Sequence, residues 1–226
     1  MELKIIARIK NDFPTKFGLP RQSGLSDFKS EIIIEKEYSV DEAFRGMDEF
    51  SHLIIIWGFS EAERDDWSPT VRPPRLGGNK RVGVFATRSP FRPNSIGLTV
   101  VKLISIDKRD GRLVLTVSGA DMMNGTPIYD VKPYLSFADS VPDAVSGFAD
   151  GVKDHSLDVV FEDDAEGVLT PERYAALMQI LAQDPRPSYQ NDPNRIYGFE
   201  YADCEVKFTV NEKTLYVKSI TKKSEA

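Results

Sequence analysis

No regular helix can run through the segment from Val71 to Gly97. Prolines at 73, 74, 90 and 93 fix φ and remove N–H donors, and glycines at 77, 78, 83 and 97 admit backbone that other residues avoid. The segment therefore has to be a shaped loop folded around one short apolar strand, Arg81–Phe85. It carries five arginines and a lysine, and from Arg64 to Arg92 seven cations face only two acids, Asp65 and Asp66. A stiff loop that presents unpaired arginines faces an anionic ligand; the alternative on pattern alone is a proline-rich surface connection with solvated charges.

Strand signals dominate the chain around it. Leu3 to Ile9, Glu31 to Glu37, Ser51 to Phe59, Ile96 to Ile106, Arg112 to Ser118 and Thr126 to Leu135 are rich in β-branched residues, and Asp110-Gly111 marks a hairpin turn. Val40 to Gly46 is expected to make one or two helical turns behind Ser39 as N-cap. Past Leu135 the character changes. Residues 139–166 hold nine acids against one lysine, Lys153, and the stretch 136–156 reads as a linker or a long excursion. Ser156 to Phe161 follows as a short strand. Thr170 as N-cap and Pro171 at N1 open a helix to about Gln183, and Asp184 to Tyr189 forms a second rigid loop. Tyr197 to Val210 and Thr214 to Thr221 read as a closing hairpin. The fold expected is mainly β: an antiparallel β-barrel-like domain over residues 1–138, then a small α+β domain over 139–226 with the acidic linker at its start.

Composition excludes several classes. The net charge of −6 argues against a bulk electrostatic nucleic-acid binder, although the acids are concentrated in 139–166 and leave a local basic site open. The longest apolar run, Leu53 to Trp57, is too short to span a bilayer, and Met1 leads straight into a strand pattern without a signal peptide. Cys204 stands alone, so no internal disulfide forms, and a cytoplasmic protein is expected. His52 and His155 have no cysteine cluster beside them, which leaves no zinc site. Walker, dinucleotide-fingerprint and nucleophile-elbow motifs are all missing.

What remains is three stiff loops with polar tips: Lys16 to Gly24, the Val71 to Gly97 segment, and Asp121 to Tyr134. Mounted on the ends of strands, they describe a pocket for a polar, anionic small molecule. These same loops carry a family resemblance. Residues 16–25 (KFGLPRQSGL), 72–79 (RPPRLGGN), 86–97 (ATRSPFRPNSIG) and 124–135 (NGTPIYDVKPYL), with 181–189 (LAQDPRPSY), are similar to the motifs of the TrmO family, also called TsaA-like or YaeB.

The resemblance implies an S-adenosylmethionine-dependent methyltransferase acting on N6 of threonylcarbamoyladenosine beside the tRNA anticodon, built on a β-barrel and working as a homodimer with the cofactor near the subunit interface. It assigns Pro20, Arg21, Gln22, Arg88, Leu98, Asp121, Asn124, Gly125, Thr126 and Pro127 to the cofactor. Asn94, Tyr129 and Asp130 become candidates for the reacting centre. Arg92, Lys132, Arg72, Arg75 and Arg186 become candidates for substrate or tRNA contact in the anticodon loop. No metal and no membrane are implied. The chain departs from many relatives at Asn124 and Ser95, where they carry Asp and Pro, and at Ser60-Glu61, where some carry His-Gln. A methyltransferase of the same fold acting on another nucleoside or small molecule, and a non-catalytic binding module, are the alternatives.

Overall fold

The computed structural model describes residues 2–20, 22–60, 67–73, 76, 80–152, 156–162, 167–186, 190 and 192–223. The first eight strands are β1 (Ala7–Lys10), β2 (Lys29–Ile34), β3 (His52–Gly58), β4 (Thr70–Val71), β5 (Val82–Gly83), β6 (Ile96–Arg109), β7 (Arg112–Ser118) and β8 (Pro127–Pro133). Six of them form an antiparallel sheet in the order β1-β2-β7-β6-β3-β8. The sheet closes on itself because β8 returns to β1 through Ala7↔Ile128 and Arg8↔Pro127. Period-2 alternation drives this closure. Ile9, Ile32, Ile34, Leu53, Ile55, Leu115 and Ile128 all point inward and are fully buried, each contributing roughly 1.5–3 kcal/mol of burial. β4 and β5 pair only with each other, inside the long β3-to-β6 connection.

The remaining elements are α1 (Ser136–Asp139), β9 (Asp158–Phe161), α2 (Pro171–Ala182), β10 (Tyr197–Tyr201), β11 (Cys204–Asn211) and β12 (Thr214–Lys222). They build a second sheet in the order β10-β11-β12-β9, with β9 parallel to β12. Thr170 caps α2 as expected, its hydroxyl accepting from the Arg173 N–H at 3.4 Å. Two local expectations change. Tyr197 to Val210 is not one strand: it turns at Ala202, whose φ of 55° is left-handed and whose N–H donates to Asp12 O at 2.8 Å. Ser39 does not cap a helix. Its hydroxyl bonds the carbonyls of Ile34 and Glu35 and accepts from the Leu113 N–H, and short 3-10 turns follow it.

One hydrophobic cluster runs through both sheets. Phe13 joins them, its ring 4.7 Å from Phe28 and 5.2 Å from Tyr201. Arg173 of α2 adds a bidentate pair to Asp12 at 2.7 and 2.8 Å. Gly18 sits at φ +92° against the Phe199 ring, where any Cβ would fall 2.2 Å from a ring carbon. The second sheet therefore rests on the loop between β1 and β2 and fixes its shape.

Candidate active site

Antiparallel closure gathers three connections at one end of the ring: residues 11–28 after β1, 59–95 after β3 and 119–126 after β7. The three polar loops singled out in the sequence are these connections. The first and third are zipped together by backbone-directed bonds. Asn11 Nδ2 donates to Met122 O at 2.8 Å, the Asn11 N–H donates to Asn124 Oδ1 at 3.1 Å, and the Gly24 N–H donates to Gly119 O at 3.1 Å. Asn124 is thus employed in holding the loops, as are Gly125, whose carbonyl accepts from Arg8 at 3.0 Å, and the buried Thr126 and Pro127.

The polar heart of this end is a chain of three side chains. Trp57 Nε1 donates to Thr99 Oγ1 at 2.8 Å, and the Thr99 hydroxyl donates to Asp121 Oδ1 at 2.5 Å. A buried indole N–H needs an acceptor, and Thr99 supplies it from the inward side of β6. Nearby, Arg88 donates to Gln22 Oε1 at 2.9 Å. Burial raises the Asp121 pKa above the usual carboxylate value; the Thr99 hydroxyl, its own backbone, the charge of Arg88 and the Ser23 N–H act in the opposite direction. Arg88 is exposed, so its guanidinium faces outward from a site whose floor is a half-buried carboxylate.

On the next strands round the ring, a bulge sets the second group of candidates. Ile56 pairs with Asp130 and Trp57 with Ile128, which leaves Tyr129 as the extra residue. Tyr129 therefore folds over Gly58, where an added Cβ would lie 2.3 Å from the phenol oxygen. Bulges re-aim side chains in this way beside active sites. Asp130 accepts from the Val131 N–H at 2.9 Å and pairs with Lys132 at 2.7 Å, both side chains being substantially exposed.

The other sequence candidates fall in different places. Arg92 donates to Thr87 O at 2.7 Å and Val84 O at 3.3 Å and lies 5.4 Å from the Phe85 ring centre, so it braces its own loop. Arg186 is buried and bidentate to Asp184 at 2.8 and 2.9 Å, so its guanidinium is engaged within its own loop. Asn94 and Arg72 are exposed, Leu98 projects outward from β6, and Pro20 is buried. Arg21, Arg75 and Glu61 lie outside the described residues. Sequence reasoning passed over Trp57 and Thr99; the available signal was a hydroxyl at an inward position of an alternating strand. Among the described residues no group of three His, Cys, Asp or Glu side chains is placed to hold a metal, and no helix is long and apolar enough to cross a membrane.

Residues 8–140 match the family model described as the tRNA-methyltransferase O N-terminal domain, and residues 154–223 match the TrmO C-terminal domain. The chain belongs to the tRNA-methyltransferase O family. It is 38% identical over 216 residues, 92% of each chain, to a tRNA (adenine(37)-N6)-methyltransferase of Escherichia coli (strain K12). A protein of the same description from Eikenella corrodens is 43% identical over 172 residues, 76% of this chain and 97% of that one. Among solved structures, TrmO from Pseudomonas aeruginosa superposes with a TM-score of 0.77 at 29% identity, covering 98% of both chains. In TrmO terms, the N-terminal match spans the closed ring and its three loops, and the C-terminal match spans the sheet that rests on the first of them.

Proposed function

We propose that the chain transfers a methyl group from S-adenosylmethionine to N6 of the adenine beside the tRNA anticodon, with the threonylcarbamoylated adenosine as acceptor. Family membership supports the reaction class. The observation that carries the site is the Arg88–Gln22 pair set over the Asp121–Thr99–Trp57 chain at one end of the ring. This donor set suits the cofactor. Arg88 matches a carboxylate, Asp121 can accept from an amine or ribose hydroxyl, and Gln22 can both donate and accept along an adenine edge. S-adenosylmethionine supplies an electrophilic methyl on a sulfonium centre.

For this chain's residues the task is mainly alignment, because displacement in line needs a held geometry more than strong acid–base chemistry. Asp121, locked by Thr99, fixes the floor. Tyr129 and Asp130, presented by the bulge, are our candidates to take the proton leaving N6, and Lys132 pairs with the Asp130 carboxylate at 2.7 Å. Asn94 is exposed just ahead of β6 and is our further candidate for the reacting centre.

The outer face of the ring supports a homodimer as part of this reading. Leu98 is 57% exposed and pairs across the strands with Ile56, and Val100 pairs with Ile54 beside it. Covering this apolar strip with a second copy would bring a subunit boundary to the edge of the cofactor site. The division into a cofactor-binding unit over 1–138 and an accessory unit over 139–226, and a cytoplasmic location, complete the reading.

Calorimetric titration with S-adenosylmethionine tests the site. The wild type should bind, and Arg88→Ala should bind about tenfold to a hundredfold more weakly, the loss expected of one charge-assisted hydrogen bond. Lys132→Ala should bind normally. Equal affinity in wild type and Arg88→Ala would remove the cofactor from this end of the ring.

A further inference from the structure

The β3-to-β6 connection carries a feature that the methyl-transfer site does not use. Trp67 and Phe85 lie side by side with 6.0 Å between ring centres and a tilt of 31° between planes, yet they are 50% and 68% exposed. The pair is held rigidly. The β4–β5 pairing joins their segments, the Val84 N–H donates to Pro69 O at 3.0 Å, and Val84 itself is buried beneath the turn. Arg92, fixed to the carbonyls of Val84 and Thr87, lies over one face of the Phe85 ring, 5.4 Å from its centre, and braces it.

Past Asp65 and Asp66, which precede Trp67, the charge along the connection is positive. From Trp67 to Ile106 the sequence holds seven Lys or Arg and no Asp or Glu. Arg72, Lys80 and Arg81 are exposed, and none of these three ion-pairs with a described carboxylate. Exposed rings beside these cations match the chemistry of unpaired nucleotides, whose bases stack on aromatic faces while phosphates pair with cations.

We infer that Trp67 and Phe85 form a stacking platform for unpaired bases of the RNA substrate. The inference rests on the tRNA reading above and names the residues that hold the loop next to the reacting base.

The test uses a labelled RNA hairpin with the sequence of a tRNA anticodon arm, followed by fluorescence anisotropy. Trp67→Leu and Phe85→Leu should each weaken hairpin binding about tenfold, the scale of one stacked base. Trp67→Phe and Phe85→Tyr, which keep a ring, should bind close to wild type. S-adenosylmethionine affinity and sedimentation should stay unchanged in all four, and the hairpin should quench the wild type's Trp67 emission, Trp57 being buried. A wild type that fails to bind the hairpin sinks the tRNA reading and this inference with it. If the wild type binds and the leucine variants bind equally well, the platform is overturned while the tRNA reading stands. A changed sedimentation coefficient in the leucine variants would assign the rings to a subunit contact, and lost cofactor binding would assign them to loop support; either overturns the platform. Unquenched emission in the bound wild type does the same without any substitution.

Discussion

Asp121 is the residue on which the site's electrostatics turn. Its carboxylate is half-buried, and burial lifts its folded-state pKa above the unfolded value despite the Thr99 hydroxyl and the charge of Arg88. The folded protein therefore holds that proton more tightly than the unfolded chain. The stability linked to it is present at low pH, declines as pH rises from the unfolded pKa through the raised folded one, and is absent at neutrality. Asp121→Asn keeps an acceptor for Thr99 and removes the desolvated charge. It should raise the neutral-pH melting temperature by roughly 2–4 °C, about 1 kcal/mol in a chain this long, and flatten the acid-side dependence in calorimetric scans, while weakening S-adenosylmethionine binding. At this scale Gln22, Arg88 and Asp121 were legible because polar side chains on Pro/Gly-rich loops have few structural uses. Trp57 and Thr99 were not, since only the β3–β6 register places one beside the other. The intramolecular partners of Arg92 and Arg186 were hidden for a similar reason. Their partners are backbone carbonyls in one case and Asp184 within a left-handed turn in the other, and neither partnership leaves a distinct mark in residue order.

Among the elements, β8 has the most to do with chemistry. Its bulge turns two successive residues, Tyr129 and Asp130, away from the buried interior that Ile128 occupies. If one of them takes the N6 proton, Tyr129→Phe or Asp130→Asn should lower kcat about a hundredfold with cofactor affinity unchanged. Full activity in both variants would leave solvent as the proton acceptor. The strands and the Asp110-Gly111 hairpin were readable from alternation and turn chemistry, and α2 from its Thr-Pro start. The bulge was hidden because Pro-Ile-Tyr-Asp-Val reads as unbroken strand. The turn at Ala202 was hidden because it carries neither Gly nor Asn at its left-handed position, tertiary contact with Asp12 taking their place.

For the molecule as a whole, ring closure does the assembling: it carries loops far apart in sequence to one end, where the second sheet holds the first of them in place. The outward strip of Leu98, Ile56, Val100 and Ile54 is the face we propose meets a second copy. Because Leu98 is already solvent-exposed within one chain, Leu98→Asp should leave the fold intact and shift sedimentation from dimer to monomer. An unaltered dimer would move the interface elsewhere. The mainly β character was legible from the strand patterns. How closely the second sheet joins the first was not, because it depends on Phe13 meeting Tyr201 and Gly18 meeting Phe199 across nearly the full length of the chain.

The most direct measurement incubates the purified wild type with methyl-labelled S-adenosylmethionine and two tRNA preparations, one carrying threonylcarbamoyladenosine beside the anticodon and one lacking that group, followed by mass spectrometry of the released nucleosides. Label should appear as N6-methylated threonylcarbamoyladenosine in the first preparation alone. Equal labelling of both, or none in either, would contradict the proposed activity.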